Sequence, residues 1–425
     1  MAAASADAGP GGVFYGWTVV TAAGLVLFMA YGTQYAFGVF FAALVEEFGW
    51  SRASLSGVFS LYAGVYSGFA LVAGRLTDRW GPRAVIAIGG ALLGVALAAM
   101  SGVSALWQPY VLYGTIGALG MSTAYVPCNA TVAKWFTRRR GLAVGLASAG
   151  GSLGTFALPP VAHLLVSRLG WRWAYVAFGL AIAVSLNVLA LLMRRDPETS
   201  GLAPDGDPPA RAPSASLSRE RAWTVRRALR SRAFWLLFGV FAATWTPVFA
   251  PLVHLVPMAR GLGIPPLLAA TLVSALGGAA LVGRLVLGGA SDRIGRRGAL
   301  AVALALQTAA FVAFAQADRL PALYAASLMF GFSYGAASTL FPAVVADVFG
   351  REHAGSLAGL LFALAGSMAA LGPLAAGVIY DHTGDYRLAW WLSAGCIALA
   401  LLLLAAFRSP EAAVADEAVA GAAHN

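Results

Sequence analysis

Charge is scarce in this chain. Only 11% of its 425 residues are Asp, Glu, Lys or Arg, and 60% are hydrophobic. Soluble domains carry about 25% charged residues, so a water-soluble globule of this size would expose too much apolar surface. Cysteine is nearly missing as well. Cys128 and Cys396 both fall inside apolar runs, which excludes a disulfide framework and predicts two free buried thiols. There is no metal-ligand cluster, no nucleophile triad and no phosphate loop. The Gly-rich run 150–154 lacks the strand and Lys that a nucleotide site needs. An enzyme is not expected, nor is a cofactor, nor an obligate protein partner. No basic segment precedes the first apolar run, so a cleaved signal peptide is not expected either.

What the chain does have is apolar length. A helix needs about 20 mostly apolar residues to cross the hydrocarbon core. Such segments recur near 16–42, 54–76, 84–104, 108–133, 141–166, 172–193, 233–259, 267–290, 298–316, 320–347, 355–379 and 388–407. The expected fold class is an all-α membrane protein with twelve transmembrane helices in two pseudo-symmetric six-helix bundles. The bundles span 14–193 and 233–407; a tail (1–13), a linker (194–232) and a second tail (408–425) complete the chain.

The net charge of +10 invites nucleic acid, but its distribution points to lipid. The even-numbered connections and the C-terminal tail hold 21 of the 28 basic residues, the odd-numbered connections six, and one (Arg284) lies inside a span. Cytoplasmic loops attract Lys and Arg. The chain is therefore expected in the cell (inner or plasma) membrane, multi-pass, with both termini cytoplasmic and no nucleic-acid partner. Residues 196–222, rich in Pro, Ala, Ser and Arg, read as a flexible linker, and Ala222–Arg232 as a short basic helix on the membrane surface.

The sequence also repeats itself. At an offset of 214 residues Gly49 meets Gly263, Ser60 meets Ser274, Gly64 meets Gly278, Tyr110 meets Tyr324, Pro159 meets Pro373 and Gly170 meets Gly384. Two halves in the same orientation are a known plan of secondary transporters. The same offset lays GRLTDRWGPR (74–83) on GGASDRIGRR (288–297), so Gly74, Asp78, Arg79 and Arg83 match Gly288, Asp292, Arg293 and Arg297. These loops resemble the cytoplasmic signature of the major facilitator superfamily. The Asp is expected to accept from helix N-terminal amides or to pair with an Arg of a neighbouring helix, as a cytoplasmic latch for one state of the transport cycle; a plain solvated loop would be worth little energy. Asp347, near Arg351, reads as a further cap or latch. Gly141, Gly145, Ala149, Gly355, Gly359 and Gly366 read as structural, at the seam between the two bundles.

Scaffold residues should match across the repeat, whereas substrate contacts need not. Arg284 opposes Ala70. It precedes Asp292 by eight residues, about 12 Å along a helix, and a charge at that depth usually faces a cavity. His254 lies in a helix interrupted by Pro247, Pro251 and Pro257. It could carry or sense a proton, or bond a carbonyl that the prolines free. Tyr31, Gln34, Tyr35, Tyr125, Asn129, Tyr334 and Phe362 (opposite Ser148) are the remaining candidates.

FYGWTVV (14–20), TRRRGLAVGLASAGGSLG (137–154), GWRWAY (170–175), HLVP (254–257) and Arg284 together resemble the monocarboxylate transporter family and its bacterial relatives, which are related to oxalate/formate exchangers. The resemblance implies that Arg284 binds a substrate carboxylate and that transport is proton-coupled. Two features depart from it. The acidic residue one turn before the arginine is here Ala280, and the lysine of the first helix falls near Tyr35. The expectation is a secondary active transporter moving a lactate- or pyruvate-like monocarboxylate with a proton by alternating access. Its expected substrate-binding residues are Arg284, His254, Tyr31, Tyr125, Tyr334 and Phe362, with His254 as proton-coupling candidate. The alternatives are an oxalate/formate-type organic-anion exchanger, a proton-coupled drug exporter and a transporter-like sensor.

Overall fold

In lipid, every backbone N–H and C=O must find a partner within the protein, and helices achieve this within one segment. The computed structural model describes residues 14–136, 139–198, 201–206, 225–349 and 354–407, and among them there is no strand. Ten stretches are long and apolar enough to cross a membrane. One of them, Leu142–Leu192, is two spans joined at Gly170, whose φ of 79° and ψ of 157° break the helix. With the division at Gly170 and a further, more polar helical stretch over 107–135, the described residues hold the expected twelve spans.

The helices in chain order are α1 (Tyr15–Tyr35), α2 (Phe37–Phe48), α3 (Arg52–Trp80), α4 (Pro82–Ala99), α5 (Trp107–Val111), α6 (Ala118–Trp135), α7 (Arg140–Leu192), α8 (Val225–Leu229), α9 (Arg232–Trp245), α10 (Ala250–Gly261), α11 (Pro266–Ile294), α12 (Arg296–Gln316), α13 (Leu320–Phe349), α14 (Ala354–Gly366), α15 (Leu371–Thr383) and α16 (Arg387–Ala406). Their starts follow local chemistry. Ser51 caps α3 by accepting from the Ser54 amide at 3.1 Å, and Ser231 caps α9 by accepting from Phe234 at 3.2 Å. Such a cap is worth about 1 kcal/mol. The sequence repeat is written into the backbone as well. Glycines with positive φ recur at its offset: Gly49 and Gly263, Gly81 and Gly295, Gly170 and Gly384. Only glycine reaches that region at no steric cost, so each pair marks the same turn made twice.

The chain divides into two compact units, one of 1–216 with 252–278, the other of 217–251 with 279–425. The segment 252–278, which the repeat assigns to the second half, thus packs with the first unit. In that unit α1 and α7 approach backbone to backbone. A Cβ on Gly150 would overlap the Gly24 carbonyl, and one on Gly154 the Phe28 carbonyl. Two of the glycines expected at the seam between the bundles stand in open space within their units. Gly145 has nothing within 4 Å of a would-be Cβ, and neither has Gly359. The face that meets α1 takes in Ala147, Gly150 and Gly154, and Gly145 is exposed. In the second unit α11 and α13 make an equivalent approach, Gly283 against the Phe332 carbonyl and Gly335 against the Ala280 carbonyl.

Both cysteines are free, Cys128 buried and Cys396 partly so. The tails, residues 207–224 of the linker, and Arg351 lie outside the described residues. Of the expected basic helix, Val225–Leu229 is helical.

Candidate functional site

In the second unit the seam between α11 and α13 fixes two candidates. Arg284 follows Gly283, and Tyr334 precedes Gly335, so both stand on registers set by backbone contact. Arg284 is half-buried, and its Nε is buried with no hydrogen-bond partner. Around Tyr334 the unit is aromatic. Tyr334 stacks on Phe330 at 6.1 Å and meets the edge of Trp245 at 6.4 Å; Trp245 in turn meets Phe362 edge-on at 5.6 Å. The structure thus brings Tyr334 and Phe362 into one cluster through a residue that the sequence reading missed. The indole Nε1 of Trp245 is buried without a partner, a condition that costs about 1–3 kcal/mol. No sequence pattern distinguishes such a tryptophan from a packing one.

In the first unit Tyr31 and Tyr125 also meet, their rings edge-on at 6.2 Å. The Tyr31 hydroxyl lies 2.9 Å from that of Tyr66 on α3, and Tyr35 is 5.8 Å from Tyr31 ring to ring. Asn129 is held on both ends of its amide: it donates to the Tyr125 carbonyl and accepts from Ser148, each at 3.0 Å. Gln34 is buried with neither amide atom partnered.

His254 is wholly buried. One partner of the ring is a hydroxyl. Its Nε2 lies 3.1 Å from Ser56 Oγ of α3, and Phe41 closes on the ring edge-on at 5.5 Å. The backbone of α10 comes close to α2 here, because a Cβ on Gly38 would stand 3.0 Å from the Leu252 carbonyl. Ala280, where an acid would stand by resemblance, is buried against Gly335.

The described residues of the signature loops carry charge pairs. Among the described residues Asp78 pairs with Lys134 at the end of α6, at 3.1 Å, and Arg195 donates to its backbone carbonyl. Gly74 has Val126 3.3 Å from a would-be Cβ, and Arg79 and Arg83 are exposed. In the second unit Gly288 is loosely packed and Arg293 exposed, while Arg297 donates to the carbonyls of Leu404 and Ala405 at 3.0 and 2.9 Å. The side chain of Asp292 lies outside the described residues. Asp347 pairs with Arg296 at 2.7 Å. Each unit thus ties the start or end of a signature loop to the end of a later helix, with the signs exchanged: acid on the loop in Asp78–Lys134, base on the loop in Arg296–Asp347. Both pairs are exposed, so each contributes at most about 1 kcal/mol to stability. If Asp78–Lys134 acts as a latch, Asp78→Asn slows uptake while leaving substrate binding intact, and Asp78→Lys with Lys134→Asp restores the rate. Equal loss of binding and uptake would mark misfolding instead.

A third group lies at the far ends of α2 and α10. Glu46 pairs with Arg260 at 2.8 Å, and these two residues are themselves 214 apart, so repeat-related positions meet as an acid and a base. Beside them Glu47 accepts from the indole of Trp171 and from Arg172, whose guanidinium covers the Trp171 ring at 4.2 Å.

Residues 23–367 and 248–423 match the Major Facilitator Superfamily. The chain is 31% identical over 408 residues to human monocarboxylate transporter 11, covering 92% of this chain and 82% of that protein. It is 28% identical to monocarboxylate transporter 12 of Rattus norvegicus (92% and 85% covered) and 28% identical to monocarboxylate transporter 3 of the same species (94% and 81% covered). Among solved structures, a bacterial homolog of the human lysosomal transporter Spinster, inward-facing and occupied, matches with a TM-score of 0.70 at 15% identity, over 92% of this chain and 96% of that one. The twelve-helix fold, the doubled signature loop and these relatives agree: the chain belongs to the major facilitator superfamily, within its monocarboxylate transporter family, and is a membrane transporter rather than an enzyme.

Proposed function

We propose that this transporter carries a small monocarboxylate, of lactate or pyruvate size, together with a proton, by alternating access, and that Arg284 binds the carboxylate. The observation that carries the reading is the guanidinium Nε buried without a partner in the second unit. A cation at membrane depth is costly unless a partner neutralises it, and a planar guanidinium holds both oxygens of a carboxylate. One fixed charge neutralises one carboxylate. Tyr334 and Phe362 give the acid's short tail an aromatic wall in the same unit. The names of the relatives, all monocarboxylate transporters, support the same class. Tyr31 and Tyr125 are proposed as further substrate contacts.

The test is uptake of a radiolabelled acid panel into proteoliposomes at about pH 6 and about pH 8. Uptake of a monoanion that rises with an inward proton gradient is the expected result. Rapid counterflow without a pH gradient would support an organic-anion exchanger instead, and binding without uptake a sensor.

His254 is proposed as the group that makes transport pH-dependent. A neutral imidazole has one acceptor and one donor nitrogen, and the charged ring has two donors. Protonation would therefore change its bond to Ser56. His254→Gln and Ser56→Ala should each flatten the pH profile of uptake. An unchanged profile in both would reduce the pair to a packing contact.

The proposed location is the cell membrane, with the halves 14–193 and 233–407 joined by a cytoplasmic linker and both termini cytoplasmic. Tags at both termini and within 200–215 should be reachable only from the cytoplasmic side. Labelling of the 200–215 tag on intact cells from outside would overturn this topology.

A further inference from the structure

The second unit holds two buried polar atoms that can only donate: Arg284 Nε and Trp245 Nε1, neither with an acceptor. Gln307 and Ser327, the other unpartnered groups of this unit among the described residues, both donate and accept, so a donor or an acceptor can satisfy them. An indole N–H is met by an acceptor alone. The Trp245 ring is fixed in its plane by two edge-on neighbours, Phe362 at 83° and Tyr334 at 84°. The groups that follow it along the chain are already engaged or lack a donor. Thr246 turns both its amide and its hydroxyl back to the Ala242 carbonyl, at 3.0 and 2.7 Å, and Pro247 begins the break between α9 and α10. The protein thus presents a rigid donor beside the two aromatic residues assigned to the substrate, and withholds any acceptor of its own.

We propose that Trp245 is a specificity-determining residue: its indole N–H donates to an oxygen on the carbon next to the substrate's carboxylate, so that 2-oxo and 2-hydroxy acids are preferred over unsubstituted short acids. This rests on the reading of Arg284 as the carboxylate site. The guanidinium fork uses both carboxylate oxygens, which leaves the separate indole donor for the next acceptor along the molecule. A site that places a buried donor at that point rejects an analogue lacking the acceptor, because binding it leaves the donor unpaired. The aromatic walls alone would favour the more apolar acid, so the two contributions predict opposite orders.

The test compares matched acids against the full chain in proteoliposomes. Unlabelled pyruvate, lactate and 2-hydroxybutyrate are set against propionate and butyrate as competitors of labelled pyruvate uptake. The wild-type protein is expected to prefer the oxygenated acids by about tenfold or more. Trp245→Phe keeps a ring against Phe362 and Tyr334 but removes the N–H. It should bring the two groups within about threefold of each other while propionate competes as before. A wild-type protein that makes no distinction between lactate and propionate overturns the proposal without reference to any variant, so a poorly folding Trp245→Phe leaves it falsifiable. Equal weakening of all acids by Trp245→Phe also overturns it, since the indole would then serve the carboxylate or the packing. Failure of every monocarboxylate to compete with the wild-type protein would instead sink the reading of Arg284, a distinguishable result.

Discussion

Arg284→Lys is expected to retain only about one-hundredth of wild-type uptake, although it conserves the charge. The reason is geometric. A guanidinium presents a planar fork that meets both oxygens of a carboxylate, whereas an ammonium on a flexible stem acts as a single strongly hydrated point. Hydrogen bonds to charged groups contribute about 1.5–3 kcal/mol each, and 1.4 kcal/mol is about a factor of ten. Losing one or two of them therefore costs roughly one to four orders of magnitude in binding. The buried Nε sharpens the loss, because the substitution removes a donor whose position the backbone of α11 fixes next to Gly283. The same arithmetic sets the valence of the cargo. A dicarboxylate brings a second charge, and burying an unpaired charge costs several kcal/mol. Lactate and pyruvate should therefore compete for labelled uptake at neutral pH, and oxalate and succinate should not. Initial uptake rates of the variant and a competition panel on the wild type measure both. Normal transport by Arg284→Lys, or a dianion as the best substrate, would end the single-arginine model and move the exchanger reading ahead.

Much of this was legible in sequence because membranes impose simple rules. Apolar length gave the spans, and the repeat gave their order; the positive-φ pairs Gly49/Gly263, Gly81/Gly295 and Gly170/Gly384 are the same repeat in dihedral form. Arg284 stood out because its partner in the repeat is alanine. What escaped were partnerships across long stretches of chain. Nothing around Asp78 in the chain points to Lys134, 56 residues on, which α6 brings to it. Nothing near His254 in the chain points to Ser56, 198 residues away, whose hydroxyl lies within bonding distance of the ring. Trp245 was invisible for a different reason. Tryptophans are common in membrane helices, and only the absence of an acceptor around Nε1 separates this one from the packing majority. The small-residue seam shows a third limit: glycine spacing reveals that a helix face is thin, but not which of its registers meets another backbone. Gly145 and Gly150 look alike in sequence, and only Gly150 is in contact.

That difference carries the second large effect. Gly335→Ala should lower both thermal stability and uptake, the latter by roughly tenfold, while Gly145→Ala should change neither adversely. A Cβ on Gly335 would overlap the Ala280 carbonyl, which is backbone and cannot rotate away. The added methyl must push α13 from α11, and overpacking of this kind costs about 1–3 kcal/mol. The displacement falls where it matters most for binding. Ala280 lies one turn before Arg284, and Tyr334 is the residue next to Gly335, so the guanidinium and the aromatic wall move apart as the seam opens. Misplacing a recognition group by about 1 Å can cost about two orders of magnitude where geometry is tight, so tenfold is a modest expectation. At Gly145 a Cβ would meet nothing within 4 Å, and in a helix alanine is favoured over glycine by about 1 kcal/mol. Thermal unfolding of the purified proteins in detergent, with uptake measured in parallel, reads both outcomes. If Gly335→Ala unfolds and transports like the wild type, the close approach of α11 and α13 does not hold Arg284 in place. If Gly145→Ala is the damaging change, the packing face of α7 is the one that its glycine spacing first suggested.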